Sequence, residues 1–209
     1  YGASHEINNP LANIAARAQT LLAGEAEPGK RKMLEAIHRQ AMRAHEMISD
    51  LMLFARPPRL EKAGFDIRLS IERVLEELRP FAEERSIQLN LNETSLPLTV
   101  VADRVQVEVA LKSVIQNSID AIGQGGVVLV DAERRTGQAA ITVRDTGPGI
   151  PLGVREHIFD PFFSGREAGR GLGFGLSKCW RIVTEHGGSI HVESPPTGGA
   201  IFTLKLPIG

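Results

Sequence analysis

Apolar residues near the start of the chain fall at Ile7, Leu11, Ile14, Ala18 and Leu21, in alternating steps of four and three. That spacing lines them up along one side of a helix. Pro10 lies inside the pattern, where it removes one backbone hydrogen bond and is expected to bend the helix just after His5. The segment Gly24-Glu25-Ala26-Glu27-Pro28-Gly29 breaks the pattern, and a second stripe follows at Leu34, Ile37, Ala41, Ala44, Ile48, Leu51 and Ala55. The two runs predict a helical hairpin with one apolar stripe on each helix. Two helices cannot cover both stripes by themselves. Dimerising into a four-helix bundle is the economical solution, and the small Ala41 and Ala44 allow close approach. Packing on the rest of the same chain is the other.

Arg56-Pro57-Pro58-Arg59 ends the second helix, because paired prolines cannot continue it. Beyond it helical and alternating patterns mix. Ile71, Val74, Leu75 and Leu78 predict a helix over 65–85, and alternation predicts strands over 88–92 and 98–102. Asp103 is a plausible N-cap for a helix running to about Ile122. Strands over 127–133 and 139–144 flank a turn at Thr136-Gly137. A helix near 177–186 and strands over 189–193 and 199–206 complete the series. The expected fold class is α+β: a hairpin over 1–57, a linker over 58–64, and an α/β sandwich over 65–209 with mostly antiparallel strands and helices on one face.

Composition narrows the function. A formal net charge of −1 on 209 residues argues against a nucleic-acid binder working through a general basic field. The single cysteine, Cys179, excludes an intrachain disulfide and has no zinc-ligand spacing with the six histidines, so it reads as a packed thiol in a reducing compartment. No apolar run approaches the roughly 20 residues that span a bilayer, and no signal peptide is visible. The start at Tyr1, close ahead of His5, suggests the surviving end of a longer polypeptide whose upstream part could hold a sensor or a membrane segment. A cytoplasmic location is expected for this core.

Candidate chemistry begins at Ser4-His5-Glu6-Ile7-Asn8-Asn9-Pro10-Leu11. Asn9 lies four residues after His5, one turn along the same face. An imidazole can attack phosphorus, a flanking carboxylate can take its proton, and a carboxamide can position water. Taken alone, the octapeptide is equally a helix surface with a histidine on it. Downstream, Asn117 sits among apolar Val107, Leu111, Val114, Ile115 and Ile119, and its amide oxygen could join the shell of a phosphate-bound Mg²⁺. Asp145-Thr146-Gly147-Pro148-Gly149-Ile150 follows a strand, which suits a carboxylate that accepts from an exocyclic amine such as that of adenine, with glycines allowing close approach to a flat ring. Asp-Thr-Gly is also an ordinary turn. Gly169-Arg170-Gly171-Leu172-Gly173-Phe174-Gly175-Leu176-Ser177 leads into a helix and offers backbone N–H groups to an anion. It has neither the strand–turn–helix setting of a Rossmann fingerprint nor the Lys-Ser/Thr of a Walker A loop. The glycine-marked stretch 147–171 reads as a mobile lid.

Together these motifs resemble the catalytic core of two-component sensor histidine kinases over essentially the whole chain. His5-Glu6-Ile7-Asn8-Asn9-Pro10 resembles the phosphoacceptor box, and 106–121 with Asn117 the asparagine box. Asp145-Thr146-Gly147-Pro148-Gly149 resembles the first glycine box, Ile158-Phe159-Asp160-Pro161-Phe162-Phe163 the phenylalanine box, and Gly171-Leu172-Gly173-Phe174-Gly175-Leu176 the second glycine box. The resemblance implies a dimerisation and phosphotransfer hairpin followed by a Bergerat-type ATP-binding domain. It implies ATP and Mg²⁺ as cofactors, His5 as phosphoacceptor, Glu6 as general base and Asn9 as the residue that positions water or phosphoryl. Asn117 would hold Mg²⁺, with Ser113 as a second candidate oxygen. Asp145, Gly147, Gly149 and Ile150 would take adenine, and Asp120, Arg170, Gly171, Leu172, Gly173, Phe174, Gly175 and Leu176 would surround the phosphates. Phe159, Phe162 and Phe163 would anchor the lid and contact the hairpin. The implied partners are a second copy and a response regulator whose aspartate receives the phosphoryl group.

Two positions depart from the family pattern. Ser113 stands where a second asparagine is frequent, and Asp120 where a lysine commonly reaches phosphate. Arg166 or Arg170 in the lid could substitute for that charge, and both are equally readable as solvated loop residues. Two other readings follow from these departures and from the fold: an ATPase of the same superfamily with a merely structural hairpin, and a dimeric scaffold that binds a regulator without turning over ATP.

Overall fold

The computed structural model describes residues 2–55, 59–92, 97–161, 163 and 173–208, with 2–8, 46 and 49–55 described by their backbone alone. They form two compact units, Tyr1–Arg59 and Leu60–Gly209.

The first unit is a helical hairpin. Helix α1 (Gly2–Gly24) runs through Pro10 without interruption, and α2 (Pro28–Ala55) opens on a proline, whose missing N–H costs least in a helix's first turn. Glu25 Oε1 accepts from Glu27 N at 2.9 Å, which closes the turn between them. Where the helices meet, Ala15, Ala18 and Ala41 are buried. Ile14, Leu21 and Ile37, expected on the same stripes, stay open at 46%, 60% and 47% exposure. Two cylinders touch along a line, so the alanines on that line are covered and the branched residues flanking it are not.

The second unit is built on a five-stranded sheet ordered β2-β4-β5-β7-β6. Its strands are β2 (Ile87–Leu91), β4 (Gly126–Arg135), β5 (Gln138–Asp145), β6 (Ser189–Glu193) and β7 (Ile201–Pro207). Only β2 and β4 pair in parallel; the remaining neighbours are antiparallel. Helices α3 (Ile67–Glu83), α4 (Arg104–Ile122) and α6 (Gly175–Glu185) supply the other layer. The core lies between them: Val128 and Val130, Ile141 and Val143, and Phe202 and Leu204 from the sheet meet Ile71, Leu111, Ile115, Ile119 and Ile182 from the helices. Every second strand residue thus points inward, as strand geometry dictates. Cys179 is fully buried on α6, and burial pushes its thiol far above the ordinary range.

Two short strands, β1 (Ala63–Asp66) and β3 (Thr99–Ala102), form a separate antiparallel ladder. The helix expected from residue 65 therefore starts at Ile67, and Phe65 is a strand residue. Asp66 fixes the boundary, since its Oδ1 accepts from Arg68 N at 3.1 Å and from Leu98 N at 3.2 Å. Asp103 does cap α4: Oδ1 accepts from Gln106 N at 3.2 Å, while Oδ2 accepts from Glu61 N at 3.0 Å. Its own N–H donates to His186 Nε2 at 2.9 Å, so the start of α4 meets the end of α6.

The long stretch after β5 is less open than its glycines suggest. A short helix, α5 (Leu152–Arg155), is followed by turns, Ile158 is buried, and Phe159 and Phe163 pack against the core of the same unit. As far as residue 163 this is a packed connection rather than a lid. Phe162, Arg166 and the lid residues 164–171 lie outside the described residues, as does Leu172.

Candidate functional site

Strand β5 ends in a carboxylate that is only half satisfied. Asp145 is buried, at 9% exposure. Its Oδ1 accepts from Gly147 N at 2.9 Å and from Ala200 N at 3.0 Å, whereas Oδ2 is buried and has no partner among the described residues. A buried carboxylate oxygen left without a donor is costly, so this atom is set to receive one from beyond the described residues.

The backbone around it is crowded. Gly149 has a φ of +80°, and a side chain there would run into the Ser194 hydroxyl. A Cβ on Gly147 would lie 3.4 Å from the Ala121 carbonyl carbon, so this loop lies against the last turn of α4. Ser194 Oγ accepts from Ile150 N at 2.9 Å and donates to Gly199 O at 2.8 Å. Arg155 donates through Nε to Ile150 O at 2.9 Å and through Nη2 to Ser194 O at 3.0 Å. Gly199 N donates to Gly147 O at 2.8 Å. The loop 147–150 is therefore braced on the β6–β7 loop at both ends. Sequence reading missed Arg155 and Ser194. Their only local signal was the turn-rich run Ser194-Pro195-Pro196-Thr197-Gly198-Gly199.

The end of α4 that meets this loop carries the polar candidates. Asn117 is half-buried, and its carboxamide has no hydrogen-bond partner among the described residues. Asp120, also half-buried, accepts from Gln116 Nε2 at 3.3 Å. Ser113 donates its proton to Val109 O at 2.9 Å, which leaves the lone pairs of its oxygen available.

Helix α6 opens at Phe174 with no side-chain cap bond, so its N-terminus has the backbone character that suits an anion. Gly173 has a φ of +70° just before it. Gly175 and Leu176 belong to its first turn rather than to a preceding loop. Phe174 is buried, so only its backbone can face a ligand. Arg170, Gly171 and Leu172 lie outside the described residues. In the hairpin, His5 and Glu6 are placed by backbone alone on α1, and Asn9 follows one turn later with its side chain exposed.

Comparison with known proteins agrees with both units. The model of the His Kinase A (phospho-acceptor) domain matches residues 1–59, and that of the histidine kinase-, DNA gyrase B-, and HSP90-like ATPase matches residues 102–209. The chain is similar to the sensor histidine kinase ZraS of Escherichia coli (strain K12), 32% identical over 208 residues, which are 99% of this chain and 44% of the relative. It thus spans less than half the length of that relative. Among solved structures, full-length ShkA in complex with AMPPNP aligns with a TM-score of 0.83 at 26% identity, over 98% of this chain and 44% of that one. Histidine kinase ThkA in complex with response regulator protein TrrA aligns with a TM-score of 0.75 at 26% identity, over 98% of this chain and 59% of that one. A phospho-acceptor hairpin followed by this ATPase fold, in one chain and in this order, places the protein in the family of two-component sensor histidine kinases, as a catalytic core.

Proposed function

We propose that this core moves the γ-phosphoryl group of Mg-ATP to His5 and passes it on to an aspartate of a response regulator. The observation that carries the ATP half is the buried, unpartnered Oδ2 of Asp145 at the end of β5. Only a donor can satisfy it, and the exocyclic amine of adenine is one of the right shape. Gly147 and Gly149 bring backbone close to the ring, and Ile150 supplies apolar surface beside it. The N-terminus of α6, with Gly173, Phe174, Gly175 and Leu176, would take the phosphates, a role that the sequence motif also gives to Arg170, Gly171 and Leu172. Bound Mg²⁺ would neutralise phosphate charge, and Asn117 is the carboxamide that fits it, with the Ser113 oxygen as a second candidate. Asp120 adds negative charge where a lysine would help, and its bond to Gln116 holds it on the helix.

At His5, Nε2 attacks the γ-phosphorus in line. The P–N bond forms as the P–O bond to ADP breaks, and Glu6 accepts or balances the Nδ1 proton. Orientation and charge stabilisation supply most of the acceleration. Asn9, exposed one turn along α1, orients water for the reverse task of dephosphorylating the regulator. The ThkA–TrrA complex supports a response regulator as partner. A cytoplasmic setting fits this chemistry, and among the described residues no helix is long and apolar enough to cross a membrane.

Incubation with γ-labelled ATP tests the reading. Label that is lost in acid and retained in base is the expected result, because phosphohistidine is acid-labile. Phosphate released only to water would point to a plain ATPase, and bound ATP without turnover to a scaffold.

The second copy is proposed on the hairpin, where Leu11, Ile14, Ala36, Ile37 and Ala41 line an open apolar groove. Burying an isoleucine is worth about 1.5–3 kcal/mol, and each occurs twice in a symmetric dimer. Ile14 and Ile37 are already about half covered, so four such side chains would contribute about 3–6 kcal/mol, and Ile14→Glu with Ile37→Glu should weaken dimerisation about 100-fold or more. Sedimentation equilibrium checks this, and an unchanged dimer would remove the groove from the interface.

A further inference from the structure

His186 takes no part in the steps above, yet it is 2% exposed and bonded through both ring nitrogens. Nε2 accepts the Asp103 N–H at 2.9 Å, so it carries no proton there. Nδ1 must then hold the proton, and it donates to Ile182 O at 2.7 Å. One neutral imidazole thus joins the N-cap of α4 to the last turn of α6, backbone to backbone. The turn behind it has little room to give. Gly187 has a φ of +76°, and a Cβ on Gly188 would collide with Lys205 O. Asp103 is held as well, by Gln106 N and Glu61 N on its carboxylate.

We infer that His186 is a positioning residue for phosphoryl transfer, pinning α4 against α6 at the end remote from the nucleotide. The inference rests on the assignment of Asn117 to the metal and of the α6 N-terminus to the phosphates. Those groups sit at the opposite ends of the two helices, about 21 Å from Asp103 along α4 and about 16 Å from His186 along α6 at 1.5 Å per residue. With such arms, a tilt of about 5° at the pin moves the far end by roughly 1.5–2 Å. A misplacement of about 1 Å can cost on the order of 100-fold in rate. Adenine is held from the end of β5, by a loop that touches α4 at Ala121 and Ile122 but is braced on Ser194, Gly199 and Arg155, so the pin acts first on the phosphate and metal end of the pocket and much less on the base end. An ordinary core histidine would affect both ends equally, through stability.

The test uses the full chain and compares adenosine, Mg-ADP and His5 phosphorylation at saturating Mg-ATP. His186→Phe keeps a flat ring in the site, at a somewhat larger volume, and removes both bonds. It should weaken Mg-ADP about 10-fold and slow phosphorylation at least as much, with adenosine affinity within about twofold of wild type. His186→Gln can accept and donate at similar positions and should recover most of both losses. Equal loss of adenosine and Mg-ADP, or no loss of either, would overturn the inference. If the phenylalanine variant does not fold, ring ¹⁵N shifts of the wild-type protein decide. An Nδ1–H tautomer kept through nucleotide binding supports the pin, and an Nε2–H tautomer or a charged ring removes it. Asp145→Asn measured in parallel keeps the two readings apart. Intact adenosine binding in that variant would count against the adenine site, while the pin is still judged on Mg-ADP and rate.

Discussion

His5→Gln protein is expected to take up no acid-labile label from γ-labelled ATP while binding Mg-ATP as the wild type does. The glutamine side chain keeps polarity and helix propensity but has no lone pair nucleophilic enough to displace ADP. The loss should therefore be complete within detection, about 1000-fold or more, rather than the 10²–10⁴-fold typical of removing an acid or base. Nucleotide affinity should not follow, because His5 belongs to the first compact unit and the candidate pocket to the second. Filter-bound radioactivity and a fluorescent-nucleotide titration read the two quantities separately. Label persisting at wild-type level would place the phosphoacceptor on another residue.

Asp145→Asn should abolish ATP binding at concentrations that saturate the wild type, and it should do so without unfolding the domain. The carboxamide can keep its oxygen at the Oδ1 position, where it still accepts from Gly147 N and Ala200 N. Its NH₂ then replaces the open Oδ2, so that donor meets the adenine amine. Losing a charge-assisted bond costs about 1.5–3 kcal/mol, and two facing donors add to it, so affinity should fall about 100-fold or more. The same change makes a second prediction of opposite sign. Hypoxanthine carries an acceptor where adenine carries the amine, so the variant should lose its preference for ATP over ITP or reverse it. Competition titrations measure both, and an unchanged ATP-to-ITP ratio would mean that Asp145 does not face the base. Asp145→Ala is the poorer probe, since it would strip two buried N–H groups of their acceptor.

Much of the second unit was legible from alternation and caps. Asp103 announced α4, and Thr136-Gly137 announced the β4–β5 hairpin, because both signals are local and chemical. The missed strand β1 shows the limit. Its register is set by β3, more than thirty residues away, and nothing within Ala63–Asp66 demands a strand. The braces of the candidate site were hidden for the same reason: Ser194 and Arg155 act on Ile150 through side chain-to-backbone bonds, which leave no periodicity. In the hairpin, spacing located the apolar faces of α1 and α2. It could not say that the alanines would be covered and Ile14 and Ile37 left open, since that depends on how closely two helices approach. The connection after β5 looked mobile because its glycines are conspicuous, whereas Ile158, Phe159 and Phe163, which tie it down, are scattered.

The carboxylate of Asp103 has one more consequence, and it is mechanical. Its Oδ2 grips the backbone of Glu61, two residues ahead of β1, while Oδ1 grips the first turn of α4. The chain arriving from residue 59 thus has almost no slack before it is tethered. Because Ala63 also pairs with Ala102, next to Asp103, the segment 59–62 enters the domain at one knot where the start of α4 and the β1–β3 ladder are tied to the same residue pair.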